Sequence, residues 1–220
     1  MAARFSFGVG DKATTALSYA AERAGATLIL AHGAGAPQTH PWLVKAATAI
    51  SARGIDVVTF NFLYTETRRR APDRNDVLEA TWMAAIDAVR SRSPGKRLFL
   101  GGKSMGGRIA TQVAATLAPG DVQGLVLLGY PLHPPGKPAQ LRTAHLPRVA
   151  APMLFVQGSR DSFGTPEELR PVLAGLANAT RLVVVDGGDH SFAIPKSSGQ
   201  TLDDTLAHVA DEVAQFIASR

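Results

Sequence analysis

The sequence predicts an α/β fold: a doubly wound, mostly parallel sheet with an antiparallel N-terminal edge and little or no lid. Three observations carry this reading. Short, continuous apolar runs recur from about residue 26 onward, stretches of helical period separate them, and the first 25 residues hold two strand-like segments with no room for a helix between. Continuous apolar runs mark strands buried on both faces, as parallel sheets require. Strands alternating with helices give right-handed crossovers and one doubly wound sheet.

The elements follow in order. Residues 5–9 and 15–19 read as strands joined through Gly10-Asp11-Lys12, paired antiparallel at one edge. The buried runs are 26–31 (ATLILA), 55–62 (IDVVTFNF), 97–100 (RLFL), 122–128 (VQGLVLL), 153–156 (MLFV) and 181–186 (RLVVVD). Val77, Leu78, Trp82, Ile86 and Val89 recur at three- and four-residue spacing, as do Leu202, Leu206, Val209, Val213 and Phe216. Each set lays one apolar face on a sheet. A further helical pattern runs over 108–117. Thr165-Pro166-Glu167-Glu168 reads as a helix start, with Thr165 as cap, Pro166 at the first position and Glu168 completing a capping box. Residues 131–152, rich in Pro and basic side chains, suffice for a partial flap but not for a folded lid. No repeat or second unit is visible, so one domain over 1–220 is expected.

Composition narrows the function. Apolar residues make up 45% and charged residues 19% of the 220, a globular balance. No apolar run approaches the roughly 20 residues of a membrane helix, and the first ten residues lack the pattern of a secretory leader. A cytoplasmic location is expected. The absence of cysteine excludes disulfides, thiolate catalysis and cysteine–metal sites. Lys plus Arg is 23 against 18 for Asp plus Glu, a net charge of +5. No nucleic-acid motif or aromatic platform accompanies that charge, and Arg68, Arg69 and Arg70, with Arg74 nearby, read as a solvated loop.

The chemistry centres on Gly102-Lys103-Ser104-Met105-Gly106, a Gly-x-Ser-x-Gly set directly between a buried strand and a helical pattern. In that position a serine stands on a strained strand-to-helix turn at the carboxyl end of the sheet, and the flanking glycines let strand and helix approach. The competing reading is a Gly-rich turn whose serine caps the helix. A hydroxyl needs an adjacent base. Of six histidines, His190 lies in a Gly-rich loop just after the last strand, and all carboxyl ends of a parallel sheet share one edge. His208 sits mid-helix beside polar residues. His40, His133 and His145 fall in loops, and His133 or His145 could line a pocket. The base needs a carboxylate to fix its tautomer. Asp161, after the 153–156 strand, is the candidate acid, with Asp186 and Asp189 as rivals beside His190. The chain order is then Ser104, Asp161, His190. The oxyanion calls for the N–H of Met105 and a second donor from His32-Gly33-Ala34-Gly35-Ala36-Pro37, with Ala34 first and Gly35 second. His32 reads as a brace of that loop.

Together His32-Gly33, the Gly102–Gly106 turn, the Asp161 loop and the His190 loop resemble the α/β-hydrolase superfamily over nearly the whole chain. HGAGAP with GGKSMGGR resembles a branch of small bacterial dienelactone-hydrolase-like proteins, and also certain testis-expressed and chromatin-complex-associated animal proteins. The resemblance implies a fold and a triad but no firm substrate. Dienelactone hydrolases themselves carry a cysteine nucleophile, where this chain has serine. The expected reaction is cleavage of a carboxylic ester or related acyl bond of a small-molecule substrate, without metal or organic cofactor. The alternative is a non-catalytic binding or scaffold protein on the same fold. Trp42, Tyr64, Met105, Tyr130, Phe163 and Phe192 are candidate pocket liners. Arg69, Arg70 and Arg108 are the candidates to meet an acidic substrate group, beside the alternative that they face solvent. Nucleic-acid and membrane partners are not expected, and pattern gives no oligomeric state.

Overall fold

The computed structural model describes residues 2–220. Eight strands form one sheet: β1 (Ala3–Val9), β2 (Lys12–Tyr19), β3 (Ala26–Ala31), β4 (Asp56–Phe60), β5 (Arg97–Lys103), β6 (Gly124–Leu128), β7 (Met153–Gly158) and β8 (Thr180–Val185). Their order is β1-β2-β4-β3-β5-β6-β7-β8. β1 pairs antiparallel with β2, and β2 antiparallel with β4. Every pairing from β4 to β8 is parallel. β3, β4, β6 and β7 are buried at every position, which is what continuous apolar runs require.

Among the described residues six helices cover the sheet: α1 (Pro41–Ser51), α2 (Leu63–Glu66), α3 (Asn75–Arg92), α4 (Met105–Ala114), α5 (Pro166–Ala174) and α6 (Leu202–Ala218). The two-residue period of the strands divides the core into two layers. Ile29, Val58, Leu100 and Leu127 pack with Leu78 and Trp82 of α3, Ile109 of α4 and Leu169 of α5. Leu28, Val57, Phe99 and Val126 pack with Leu43 and Ala47 of α1 and with Val209, Val213 and Phe216 of α6. α5 starts on the expected capping box, and α6 carries another from Thr201 and Asp204.

Three features depart from expectation. α4 starts at Met105, directly after the serine, not at 108. The fourth strand stops at Phe60, because Asn61 turns to bond Gln38 and Glu66, and Phe62 precedes α2 as its N-cap residue. α1 is not among the expected elements; Pro41 occupies its first turn, and the His40 ring accepts from the Trp42 N–H at 3.3 Å. The 131–152 segment carries one 3-10 turn, Leu146–Arg148, and is pinned by buried Leu132, Leu146 and Val149 rather than raised as a lid. Among the described residues no helix is long and apolar enough to cross a membrane.

Candidate active site

Ser104 stands between β5 and α4 with φ 51° and ψ −117°, a left-handed conformation that costs a non-glycine residue of order 1–3 kcal/mol. The neighbouring glycines make the turn possible. A Cβ on Gly102 would lie 2.5 Å from the Gly106 and Gly107 backbone, and one on Gly106 would lie 2.6 Å from the Ala31 and His32 carbonyl oxygens. β5 and α4 therefore touch backbone to backbone, which holds the serine against the end of β3.

Two other strand ends reach the same point. His190 Nε2 lies 2.9 Å from Ser104 Oγ, and His190 Nδ1 lies 2.7 Å from Asp161 Oδ2. The Asp161 carboxylate is fully buried and accepts two further bonds, from Gln157 Nε2 at 2.8 Å and the Phe163 N–H at 2.8 Å. Donors meet both of its oxygens, as an acceptor-only carboxylate requires. The Nδ1–H tautomer of His190 satisfies every contact, since Nδ1 then donates to Asp161 and Nε2 accepts from the serine hydroxyl. The Phe163 ring lies on the imidazole, centroids 4.2 Å apart. The rival carboxylates are engaged elsewhere. Asp189 Oδ1 accepts from the Ser191 and Ala193 N–H groups, bracing its own loop, and Asp186 accepts from Ser159 Oγ.

The loop after β3 closes the other side. His32 is buried; its Nε2 accepts from the Phe62 N–H at 3.1 Å, so Nδ1 carries the proton and donates to the Gly33 carbonyl at 2.8 Å. Burial pushes its pKa down to about 4, so it is a neutral brace. The Gly35 N–H donates to Tyr64 Oη at 3.2 Å, which removes Gly35 from the candidate oxyanion donors. Among the described residues the N–H groups of Ala34 and Met105 are not consumed by the loop or by α4, whose first-turn donors have no intrahelical acceptor.

A cavity of about 780 Å³ opens on Ser104, and Trp42, Met105, Phe163, His190 and Ala34 are in its wall. Three expected liners are not. Tyr64 is fully buried against His32 and Phe62, with its hydroxyl on Gly35. Tyr130 turns into the core against Phe155, and its hydroxyl donates to the Arg142 carbonyl at 2.7 Å. Phe192 lies behind Trp42 in the α1/α6 layer. An aromatic residue near a motif gives no sign of which face it takes. His133 and His145 are also outside the cavity; His145 bonds Thr111 Oγ1 and His133 lies against Glu168 and the Pro134 carbonyl. His40 is in the wall, and His208 is exposed on α6.

Lys103 is a site residue that the motif reading misses. It is the last residue of β5, buried, with Nζ 5.7 Å from the Trp42 ring centroid and in the cavity wall. Burial pulls its pKa down to about 8 against the opposing pull of Asp161 and Asp189. Strand alternation carries the signal, since Lys103 shares the face of Phe99. Trp42 does more than line the wall. Its indole N–H donates to the Ser191 carbonyl at 2.8 Å and so fixes the His190 loop. Arg68, Arg70 and Arg74 are exposed, and Arg69 pairs with Asp73.

The family model of the alpha/beta hydrolase domain matches residues 24–218. The chain belongs to the alpha/beta hydrolase family. Solved structures agree at the level of the fold. An alpha-beta serine hydrolase homologue from Coxiella burnetii is similar at TM-score 0.78 and 20% identity, over 96% of each chain. A serine hydrolase without lid from Xanthomonas campestris is similar at TM-score 0.78 and 22% identity, over 98% of this chain and 94% of that one. A dienelactone hydrolase from Anabaena variabilis is similar at TM-score 0.77 and 22% identity, over 100% and 97%. This alpha/beta hydrolase has an eight-strand, mostly parallel sheet with helices on both faces and, among the described residues, no lid.

Proposed function

We propose that this protein is a serine hydrolase cleaving a carboxylic ester or related acyl bond of a small molecule, with Ser104 as nucleophile, His190 as general base and Asp161 as the carboxylate that orients it. The observation that carries the proposal is the unbroken chain from Asp161 Oδ2 to His190 to Ser104 Oγ, at 2.7 and 2.9 Å, on the wall of a cavity large enough for a small substrate.

In this reading His190 Nε2 takes the hydroxyl proton as Ser104 Oγ bonds to the substrate carbonyl carbon. The carbonyl oxygen becomes an oxyanion between the Met105 and Ala34 N–H groups. His190 then gives its proton to the leaving oxygen, the bond to the alcohol breaks, and an acyl-serine remains. Water repeats the sequence, releasing the acid and restoring Ser104. Asp161 stays ionised throughout and stabilises the imidazolium.

The test is labelling with a fluorophosphonate probe, mapped by mass spectrometry, together with turnover of 4-nitrophenyl butyrate. Modification is expected at Ser104, absent in Ser104→Ala and weakened in His190→Ala. Asp161→Asn is expected to lower turnover by roughly 10³–10⁴, and Asp186→Asn to leave it within a few-fold. A folded wild-type protein that neither labels nor turns over refutes the proposal and leaves a binding or scaffold role.

A further inference from the structure

Arg108 and Arg142 both stand in the wall of the cavity that holds Ser104, each only partly exposed. Neither makes an ion pair with a carboxylate among the described residues. The nearest polar partner of the Arg108 guanidinium is Asn75 Oδ1, at 3.5 Å. The Arg142 guanidinium makes no hydrogen bond among the described residues, although its backbone is held twice, by the Leu132 carbonyl at 2.8 Å and by the Tyr130 hydroxyl at 2.7 Å. Burial depresses the pKa of Arg108, and the neighbouring Arg142 charge depresses it further. Two like charges thus line one cavity on firm backbone, without an ion-pairing carboxylate among the described residues.

Of the other lysines in this wall, Lys45 pairs with Asp203, and Lys103, with no ion pair among the described residues, feels both Asp161 and Asp189. Asp73, the one acidic residue in the wall among the described residues, is spent on Arg69 and the Tyr64 N–H. Glu79 acts on Arg108 from beyond ion-pair distance. A half-buried guanidinium pair without a carboxylate is unfavourable unless something else supplies the negative charge, and the planar fork of arginine suits a carboxylate. Arg108 lies one turn beyond Ser104 on α4, its N–H on the Ser104 carbonyl at 3.0 Å. Both residues line the same cavity, so an anion held by Arg108 reaches the serine through a short aliphatic spacer.

We propose that Arg108 and Arg142 form an anion subsite, and that the acyl substrate of this site carries a carboxylate in addition to its scissile bond. The substrate half of this statement rests on the hydrolase reading above; the subsite half does not.

Titration calorimetry on Ser104→Ala protein reads the subsite without turnover, with monomethyl glutarate and dimethyl glutarate as paired probes. The expected result is binding of the monoester about tenfold or more tightly than the neutral diester. That preference is lost when Arg108→Gln or Arg142→Gln is added and kept when Lys12→Gln, an exposed cation away from the cavity, is added. No detectable monoester binding, equal affinities, or a preference that survives both arginine changes overturns the proposal. Hydrolysis of 4-nitrophenyl butyrate by the wild-type protein is recorded alongside. Hydrolysis without the preference refutes the subsite and keeps the hydrolase; the preference with neither hydrolysis nor fluorophosphonate labelling of Ser104 keeps the subsite and refutes the hydrolase.

Discussion

His32 makes the stability of this protein sensitive to mild acid. Its imidazole is 1% exposed and accepts the Phe62 N–H through Nε2, so protonation there breaks that bond and buries a charge. The folded pKa is about 4, lowered by burial, against an ordinary value of 6.5. Between those values the unfolded chain binds the proton and the folded chain does not, so stability rises with pH across this window and falls as pH is lowered through it. At 1.36 kcal/mol per pKa unit, moving from pH 7.5 to pH 5.0 removes about 2 kcal/mol through His32 alone. Urea denaturation at the two pH values measures the loss in the wild type and in His32→Gln, whose amide can still meet the Phe62 N–H but does not titrate. His145, also held near 4 by burial, acts in the same direction in both proteins and cancels in the comparison. The variant should be weaker at pH 7.5 yet lose about 2 kcal/mol less on acidification. Equal losses in the two proteins would show that His32 is not held neutral by the fold, and the account of the loop it braces would fail with it.

Three other outcomes follow from single contacts. Gly106→Ala drives a Cβ to within 2.6 Å of two backbone carbonyls of the β3 loop, so chemical denaturation should show a loss of about 1–3 kcal/mol, and ester turnover should fall with it. Trp42→Phe keeps the ring packing against Phe192 but loses the bond to the Ser191 carbonyl. The expected cost is about 1 kcal/mol, seen as a lower Tm, with a several-fold drop in kcat as the His190 loop loosens. Lys103 has a folded pKa of about 8 where the unfolded value is 10.5. Stability should therefore climb by about 2 kcal/mol between pH 7 and pH 9.5, and Lys103→Met should flatten that climb in urea titrations.

The fold is legible because its strands announce themselves. ATLILA and MLFV are uninterrupted apolar runs, and both prove to be buried from end to end. α1 is harder to read: Trp42, Leu43, Ala46, Ala47 and Ile50 do recur at helical spacing on its buried face, but Val44 and Ala49 on the other side blur the contrast between the two faces. Strand ends are harder. Nothing in NFLY separates a strand residue from a helix start; the decision is made by Asn61 bonding Glu66 and Gln38, partners 5 and 23 residues away.

The site divides along the same line. Residues whose position follows from the backbone path, at the carboxyl end of a parallel strand, can be nominated from spacing alone, and Ser104, Asp161 and His190 meet there. Residues whose position follows from side-chain direction cannot. Tyr130 and Arg142 show this most clearly. Both lie in the stretch after β6, and pattern favours the aromatic one as a pocket liner. The chain does the reverse, sinking the Tyr130 ring beside Phe155 and spending its hydroxyl on the Arg142 carbonyl. Together with the bond from the Arg142 N–H to the Leu132 carbonyl, that bond fixes the backbone from which the Arg142 guanidinium enters the cavity. The aromatic ring thus shapes the pocket without touching it, and the charge proposed to face the ligand comes from a segment that reads as a partial flap. Chemistry common to the fold is written in the short motifs. What the cavity selects is written in contacts such as this one, between residues twelve positions apart that no motif joins.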